Sequence, residues 1–282
     1  MPDGIFIDTD GFHTMLKWHR GHKQAGDISF TPERIAEGMA RGASVEIDLV
    51  CHAGGGMAVL HDALLDKATT GVGPVRGATA DQLRQFFLRD TNGAPSPHRI
   101  MLIEDLARLL ADSACGKGAV LQLDLKEMVD GLMEADVAAF AAAIAPVRDK
   151  VILSAGDARA VARLAEAVPG LPVGYDPCHD GAIERVLASG DFAGFVDTAL
   201  QAIPEAQTIY LHHQLVLTAE EHGFDLIAAF HAAGKRIDAY TIQEANPASL
   251  AKVLRLLALR CDQITTDDPV GLEQLVLNSR GE

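Results

Sequence analysis

The sequence predicts one α/β domain over residues 1–282, a (β/α)8 barrel of the TIM class. Short apolar runs rich in Val, Ile and Leu alternate with longer segments whose apolar residues recur at helical spacing. We distinguish eight such runs, and eight strands alternating with helices are the signature of this barrel. The length of 282 residues is also usual for a single barrel domain. A doubly wound open sheet is the structural alternative, but no GxGxxG motif opens a helix after the first strand.

The eight predicted strands are short and mostly apolar, and several of them end in polar residues. In chain order they are MLKWHR (15–20), SVEIDLV (44–50), AVLQLDLK (119–126), KVILSA (150–155), PVGYD (172–176), TIYLHH (208–213), RIDAYTI (236–242) and DQITTD (262–267). Several of the helical segments between them open with Asp, Asn, Ser, Thr or Pro and close with Gly, the usual helix start and stop signals.

One segment interrupts the alternation. Residues from about 57 to 97 are rich in Gly, Thr and Pro, and they are too numerous for an ordinary connection between a strand and a helix. We interpret them as a small insertion after the second strand. A segment that follows a strand lies on the face of the barrel at which enzymes of this class carry their active sites.

Composition and charge limit the possible functions. Hydrophobic residues make up 48% of the chain, which is ample for a buried core, and the formal net charge is -15. An acidic surface repels nucleic acid, and an anionic substrate would need a local cation or a bound metal ion. The four cysteines are scattered without a CxxC pair, so neither structural zinc nor a disulfide framework is expected. The sequence leaves the oligomeric state open.

Targeting signals are not apparent in the sequence. The N-terminus lacks a basic region followed by an apolar run, so we expect no signal peptide. No uninterrupted apolar stretch approaches about 18 residues, so we expect no integral membrane segment and a cytoplasmic location.

Carboxylates stand where a barrel strand normally carries apolar side chains. Glu46 and Asp48 alternate with Ile47, so both carboxylates point to one side of the second strand. Either a divalent cation, which prefers oxygen ligands, neutralises the two carboxylates, or they lie at the rim of the barrel, where water or an arginine compensates them. Asp124 and Lys126 likewise share a face of the third strand, at the mouth of the barrel or as an internal ion pair.

Two histidines complete a candidate catalytic set. His19 lies at the end of the first strand, which neighbours the second strand in a barrel, and His61 opens the insertion. The combination suits phosphodiester cleavage. The carboxylates would bind a metal, the two histidines would act as acid and base, and the cations Arg20 and Lys126 would offset negative charge. His61 could otherwise be an ordinary loop residue.

Several motifs resemble those of glycerophosphodiester phosphodiesterases, (β/α)8 barrels of the phospholipase C-like phosphodiesterase group. The shared motifs, in family order, are KWHRG, the PE of TPERIAEG, GASVEIDLV, VLHDALLDKATTGVGPV, LQLDLKE and CDQITTDDP. They span nearly the whole chain. The combination HRG…ExD…HD, between His19 and Val75, is the most specific part.

The resemblance implies roles for individual residues. His19 and His61 would be the acid/base pair, and Arg20 would contact phosphate. The metal ligands would be Glu46, Asp48 and Asp124, the last at a position where the family usually has Glu, two residues before Lys126. The resemblance also implies Mg²⁺ or Ca²⁺ as the metal and a small glycerophosphodiester as the substrate. Attack by the neighbouring glycerol hydroxyl, followed by hydrolysis, would give glycerol 3-phosphate and an alcohol.

Departures from the family pattern concern the substrate pocket. The family's PENT reads PERI with Arg34, WTVN reads YTIQ from Tyr240, and Trp18 replaces a small residue before His19. The DLK at Asp124 also resembles sphingomyelinase D-like relatives, although the VLHDALLDKATTG run argues against them. A barrel that binds phosphodiesters or headgroups without turnover is the non-enzymatic alternative.

Further polar residues lie at the ends of later strands. Tyr240 and His212 are candidates for the substrate pocket. Strand alternation predicts that only one of His212 and His213 lines it. Asp267 and Asp268 are expected to cap the following turn or helix.

Overall fold

The computed structural model describes residues 2–281, and all eight predicted strands are present. The strands are β1 Phe6–Thr9, β2 Phe12–Trp18, β3 Ser44–Cys51, β4 Met57–Val59, β5 Phe87–Arg89, β6 Pro95–Arg99, β7 Val120–Leu125, β8 Val151–Ala155, β9 Gly174–Tyr175, β10 Thr208–His212, β11 Arg236–Ile242 and β12 Gln263–Thr266. The helices are α1 Pro32–Arg41, α2 Ala80–Leu83, α3 Ile103–Asp112, α4 Glu134–Ile144, α5 Ala158–Ala167, α6 Ala182–Ser189, α7 Phe192–Ala202, α8 His213–Glu221, α9 Leu226–Ala232, α10 Pro247–Ala258 and α11 Pro269–Arg280. Four strands, β1, β4, β5 and β6, were not predicted.

The chain forms two compact units. The central unit comprises Arg20–His22 and Gly26–Pro172, and the terminal unit comprises residues 2–19, Lys23–Ala25 and residues 173–281.

The central unit contains the parallel strands β3, β7 and β8, with β7 in the middle and β4 antiparallel to β3. Every residue of β3 is buried, which explains its run of Val45, Ile47 and Leu49 on one face. Helix α1 begins with Pro32 and is capped after Arg41 by Gly42, whose φ of 85° is the left-handed conformation that glycine tolerates at a helix end.

The predicted insertion belongs to the central unit and has secondary structure of its own. It contains β4, the short helix α2 and an antiparallel two-stranded sheet of β5 and β6. This sheet runs to Arg99, two residues beyond the predicted end of the insertion.

The terminal unit contains five parallel strands in the order β9-β10-β11-β12-β2, and β1 is antiparallel to β2. Trp18 at the end of β2 is completely buried, and its Nε1 donates a hydrogen bond to the Gly4 carbonyl over 2.7 Å. Lys17, on the other face of the strand, forms a buried ion pair with Asp238 over 2.5 Å. The bulk of Trp18 therefore serves packing within this unit.

No helix within residues 2–281 is long and apolar enough to cross a membrane.

Candidate functional site

Strand register brings two of the predicted ligands together. Asp48 of β3 pairs with Asp124 of β7, and Asp124 pairs in turn with Ser154 of β8. Partners in a parallel register point to the same face of the sheet, so the three polar side chains form a row. Glu46 stands two residues before Asp48 on the same face.

Glu46, Asp48 and Asp124 form a compact group, which we call the carboxylate cluster. One oxygen from each lies within 4.8 Å of the others. Asp48 is 1% exposed and Glu46 is 5% exposed, so two of the three carboxylates are almost completely removed from water. Three anions at this distance repel one another unless cations accompany them.

Two cations approach the carboxylate cluster. Lys126 Nζ lies 2.9 Å from Asp48 Oδ1 and 2.5 Å from Asp124 Oδ2. Arg20 contributes its backbone N–H, which donates to Glu46 Oε2 over 2.9 Å, and its Nε, which lies 3.2 Å from Asp48 Oδ2. Two of the predicted alternatives are therefore present in one cluster. Arg20 pairs with the Glu46/Asp48 motif, and Lys126 forms an ion pair with Asp124.

The turn His19–Gly21 directs the Arg20 backbone towards Glu46. Arg20 has a φ of 54° and Gly21 has a φ of 76°, both in the left-handed region. Such a conformation is strained for an arginine, which indicates that its contacts with the carboxylates hold it there.

The charges around the cluster shift its pKa values in different directions. Burial and the neighbouring Asp48 and Asp124 raise the pKa of Glu46 well above its ordinary value. Burial acts in the same sense on Asp48, but the charges of Lys126 and Arg20 outweigh it and lower its pKa. The pKa of Asp124 is raised, chiefly by burial. Three carboxylates thus face two cations, and Glu46 is the least well compensated.

A divalent cation fits this cluster. Asp48 Oδ2 is buried and accepts no hydrogen bond from any residue in the range 2–281, and the nearby Arg20 Nε donates none. A buried carboxylate oxygen without a hydrogen bond is costly, and an ion that prefers oxygen ligands would remove that cost.

Ser154 fixes the third carboxylate of the cluster. Its hydroxyl donates to Asp124 Oδ1 over 2.6 Å, and Gln122 Nε2 donates to the same hydroxyl over 2.9 Å. The register of β7 and β8 shows its specific partner.

His61 lies in the central unit, and its charge is one of the influences that lower the pKa of Asp48. Its Nδ1 lies 2.7 Å from Asp62 Oδ1. Within the described chain, Nε2 of this half-exposed ring has no hydrogen-bond partner. A carboxylate on one ring nitrogen orients the imidazole and makes the other available for proton transfer.

His19 has a similar partner in the terminal unit. Its Nδ1 lies 2.6 Å from Asp267 Oδ1. The register pairs Trp18 with Thr266, the last residues of β2 and β12. His19 and Asp267, which follow them directly, therefore lie side by side. Both aspartates were predicted to cap the following turn or helix. The prediction is confirmed for Asp268, which accepts a hydrogen bond from Gly271 N at the start of α11. Asp267 orients His19 instead.

Tyr240 and His212 line a pocket of about 520 Å³ in the terminal unit, at the carboxyl ends of β10 and β11. We call it the histidine pocket. His213 also lines it, so the prediction that only one of the two histidines would do so is wrong. The reason is that β10 ends at His212 and His213 begins α8, where strand alternation no longer applies. The two rings are stacked with their centroids 4.9 Å apart.

Solved structures with related folds support the barrel class. A structure from Agrobacterium tumefaciens, provisionally named a glycerophosphoryl diester phosphodiesterase, is 23% identical, with a TM-score of 0.71 over 95% of this chain and 99% of its own. A glycerophosphoryl diester phosphodiesterase from Parabacteroides distasonis is 18% identical, with a TM-score of 0.67 over 98% and 90% of the two chains. A phosphodiesterase from Oleispira antarctica, in complex with the product sn-glycerol-3-phosphate, is 17% identical, with a TM-score of 0.63 over 93% and 96%. At these identities the likeness concerns the fold, and it confirms the predicted (β/α)8 barrel.

No curated protein matches the chain. The model of the glycerophosphoryl diester phosphodiesterase family, however, matches residues 19–270, which is most of the sequence. The chain therefore belongs to the glycerophosphoryl diester phosphodiesterase family, as its motifs suggested.

Proposed function

We propose that this protein hydrolyses glycerophosphodiesters to glycerol 3-phosphate and an alcohol, with a divalent metal at the carboxylate cluster. The observation that carries the proposal is the cluster itself, in which Asp48 Oδ2 is buried without a hydrogen bond beside Arg20 and Lys126. Membership of the family gives the reaction class. The product in the Oleispira antarctica structure supports glycerol 3-phosphate as the product here.

The carboxylate cluster would hold the metal through Glu46, Asp48 and Asp124. A site built only of oxygens suits Mg²⁺ or Ca²⁺. When bound, such an ion neutralises charge on the phosphate and favours attack at phosphorus. Arg20 and Lys126, which already accompany the carboxylates, would stabilise the negative charge that increases on the phosphoryl oxygens in the transition state.

His19 and His61 would move the protons. One ring accepts the proton of the attacking hydroxyl while the other protonates the departing alkoxide, so charge stays balanced as one P–O bond forms and another breaks. When water then attacks, the two rings exchange roles. Asp267 and Asp62 hold the respective Nδ1 atoms, so we assign proton transfer to Nε2 in both rings.

The substrate test is the release of glycerol 3-phosphate from glycerophosphocholine, glycerophosphoethanolamine and glycerophosphoinositol, with metal supplied. We expect turnover of at least one diester and its loss in His19→Ala and His61→Ala. His13→Ala is the matched control, because His13 forms an exposed pair with Asp8 over 3.1 Å. Sphingomyelin is assayed in parallel by choline release, and turnover of it alone would favour the sphingomyelinase D-like alternative. Headgroup binding without any turnover would favour the non-enzymatic one.

A further inference from the structure

The histidine pocket contains a half-buried cation, Lys252. Lys252, on the second turn of α10, lines the pocket with its Nζ 3.5 Å from His213 Nε2. Within residues 2–281 this is its one polar contact, and it forms no ion pair with a carboxylate. In a chain whose formal net charge is -15, a half-buried lysine that pairs with no carboxylate of the described residues creates a local positive potential.

His213 helps to hold Lys252 in the pocket. Its Nδ1 lies 3.1 Å from the Tyr240 carbonyl oxygen, which can only accept a hydrogen bond, so the ring proton is on Nδ1. Nε2 is then the acceptor for the lysine ammonium. Burial, assisted by the charges of His212 and Lys252, lowers the pKa of His213 to about 4. The ring is thus neutral near pH 7, and it leaves two of the three ammonium protons of Lys252 for a ligand.

His212 offers a second donor to the same pocket. Its Nδ1 accepts from the Gln214 backbone N–H over 3.3 Å, which places the proton of the neutral ring on Nε2. Burial lowers the pKa of this histidine as well. In the described part of the chain its Nε2 has no hydrogen-bond partner.

The described acidic groups near the pocket have other partners than Lys252. Glu244, also on the pocket wall, is exposed and accepts from Asn246 Nδ2 over 2.9 Å. Asp176, whose charge reaches His212, accepts from Cys178 N and pairs with His179 Nε2. Within residues 2–281 neither carboxylate forms an ion pair with Lys252, although the charge of the buried Asp176 reaches His212.

We propose that the histidine pocket binds the oxyanion of a small molecule, a phosphate or a carboxylate group. Lys252 is its charge partner and His212 Nε2–H its hydrogen-bond donor. A volume of about 520 Å³ is sufficient for a small metabolite. All the residues involved belong to the terminal unit, and the proposal requires neither metal nor turnover.

The test uses the full-length protein after EDTA treatment, titrated with inorganic phosphate in one arm and with acetate in the other. Binding is followed by the ring NMR signals of His212 and His213, assigned with H212Q and H213Q. We expect saturable shifts of these signals with at least one anion, and the responding arm identifies the group recognised. Lys252→Met should raise the Kd roughly tenfold or more, whereas Lys252→Arg retains binding.

Lys235→Met is the matched control for loss of one positive charge in the same unit. Its Nζ contacts the Pro204 carbonyl over 2.5 Å. Lys235 directly precedes β11, so it lies at the opposite end of that strand from the pocket. We expect its Kd to equal that of the unmodified protein. The proposal is overturned if neither anion shifts the ring signals saturably, if Lys252→Met binds as tightly as the unmodified protein, or if Lys235→Met weakens binding equally.

Discussion

Asp48 of β3 and Asp124 of β7 are direct partners in the strand register, so two carboxylates stand side by side on one face of the sheet. Neighbouring strands are only about 4.8 Å apart, and like charges at that spacing destabilise a sheet. Lys126 contacts one oxygen of each, yet Asp48 Oδ2 still accepts no hydrogen bond within the described chain. Such a costly arrangement is expected where a protein binds a cation.

Replacement of Asp124 tests its role as a ligand. Asp124→Asn keeps the shape of the side chain but removes its charge. Loss of an outer-shell partner of a metal typically costs about 10–100-fold in affinity or activity, so loss of a ligand should cost at least roughly 100-fold. Asp124→Glu, which restores the residue usual in the family, should retain much more. Isothermal titration with Mg²⁺ and Ca²⁺ measures the effect. Asp130→Asn, at an exposed site, is the control, and equal metal affinity in Asp124→Asn and this control would exclude the role.

Replacement of the adjacent residues Asp267 and Asp268 should affect different properties, catalysis in one case and the free energy of unfolding in the other. Asp267→Asn weakens the partner of His19, and we expect kcat to fall by roughly 100-fold with little change in the free energy of unfolding. Asp268→Ala removes the cap of α11, and we expect a loss of about 1 kcal/mol with kcat preserved. Steady-state kinetics and urea unfolding of both variants provide the comparison. The assignment fails if Asp267→Asn lowers stability but leaves kcat intact.

His213 makes stability depend on pH. Its pKa is about 4 in the folded protein, below its ordinary value of 6.5, because the ring is buried. The unfolded chain therefore binds a proton between these values that the folded chain does not. This contribution is complete above pH 6.5 and is lost as the pH falls towards 4. The loss between pH 7 and pH 4.5 should be about 2 kcal/mol. His213→Gln should show a correspondingly shallower decrease in urea unfolding, and an identical decrease in both proteins would refute this account.

The buried pair of Lys17 and Asp238 should be required for folding stability. The two side chains are 1% and 0% exposed, and Thr265 also donates to Asp238. Lys17→Met leaves an uncompensated buried carboxylate, at a cost of roughly 3–5 kcal/mol. Lys17→Met combined with Asp238→Asn should recover much of that loss. Thermal and urea unfolding measure both. A double variant no more stable than the single one would show that the unpaired charge is not the cause.

Much of the architecture and part of the site could be predicted from local patterns. Alternation within SVEIDLV placed Glu46 and Asp48 on one face, and the DLK motif supplied Asp124 and Lys126 as their neighbours. What local patterns could not give is the partner of a side chain across strands that are far apart in sequence. Asp267 is the example, because its contact with His19 depends on the register of β12 against β2.

The exact ends of strands and helices could not be predicted either. TIYLHH contains nothing that marks where the strand stops, and the difference of one residue changed the direction of His213. No local pattern distinguishes Lys252, because it lies within an ordinary amphipathic helix. Only the packing of α8 against α10 shows that it faces a pocket. The acid/base roles of His19 and His61 and the choice between Mg²⁺ and Ca²⁺ stay predictions.

The most direct test of the central claim is the release of glycerol 3-phosphate by the full-length protein before and after chelation. We expect EDTA to abolish hydrolysis of a responsive diester and added Mg²⁺ or Ca²⁺ to restore it. Asp48→Asn should stay inactive at every metal concentration while folding normally. Undiminished turnover in EDTA, or full activity of Asp48→Asn, would contradict a reaction that depends on a metal at the carboxylate cluster.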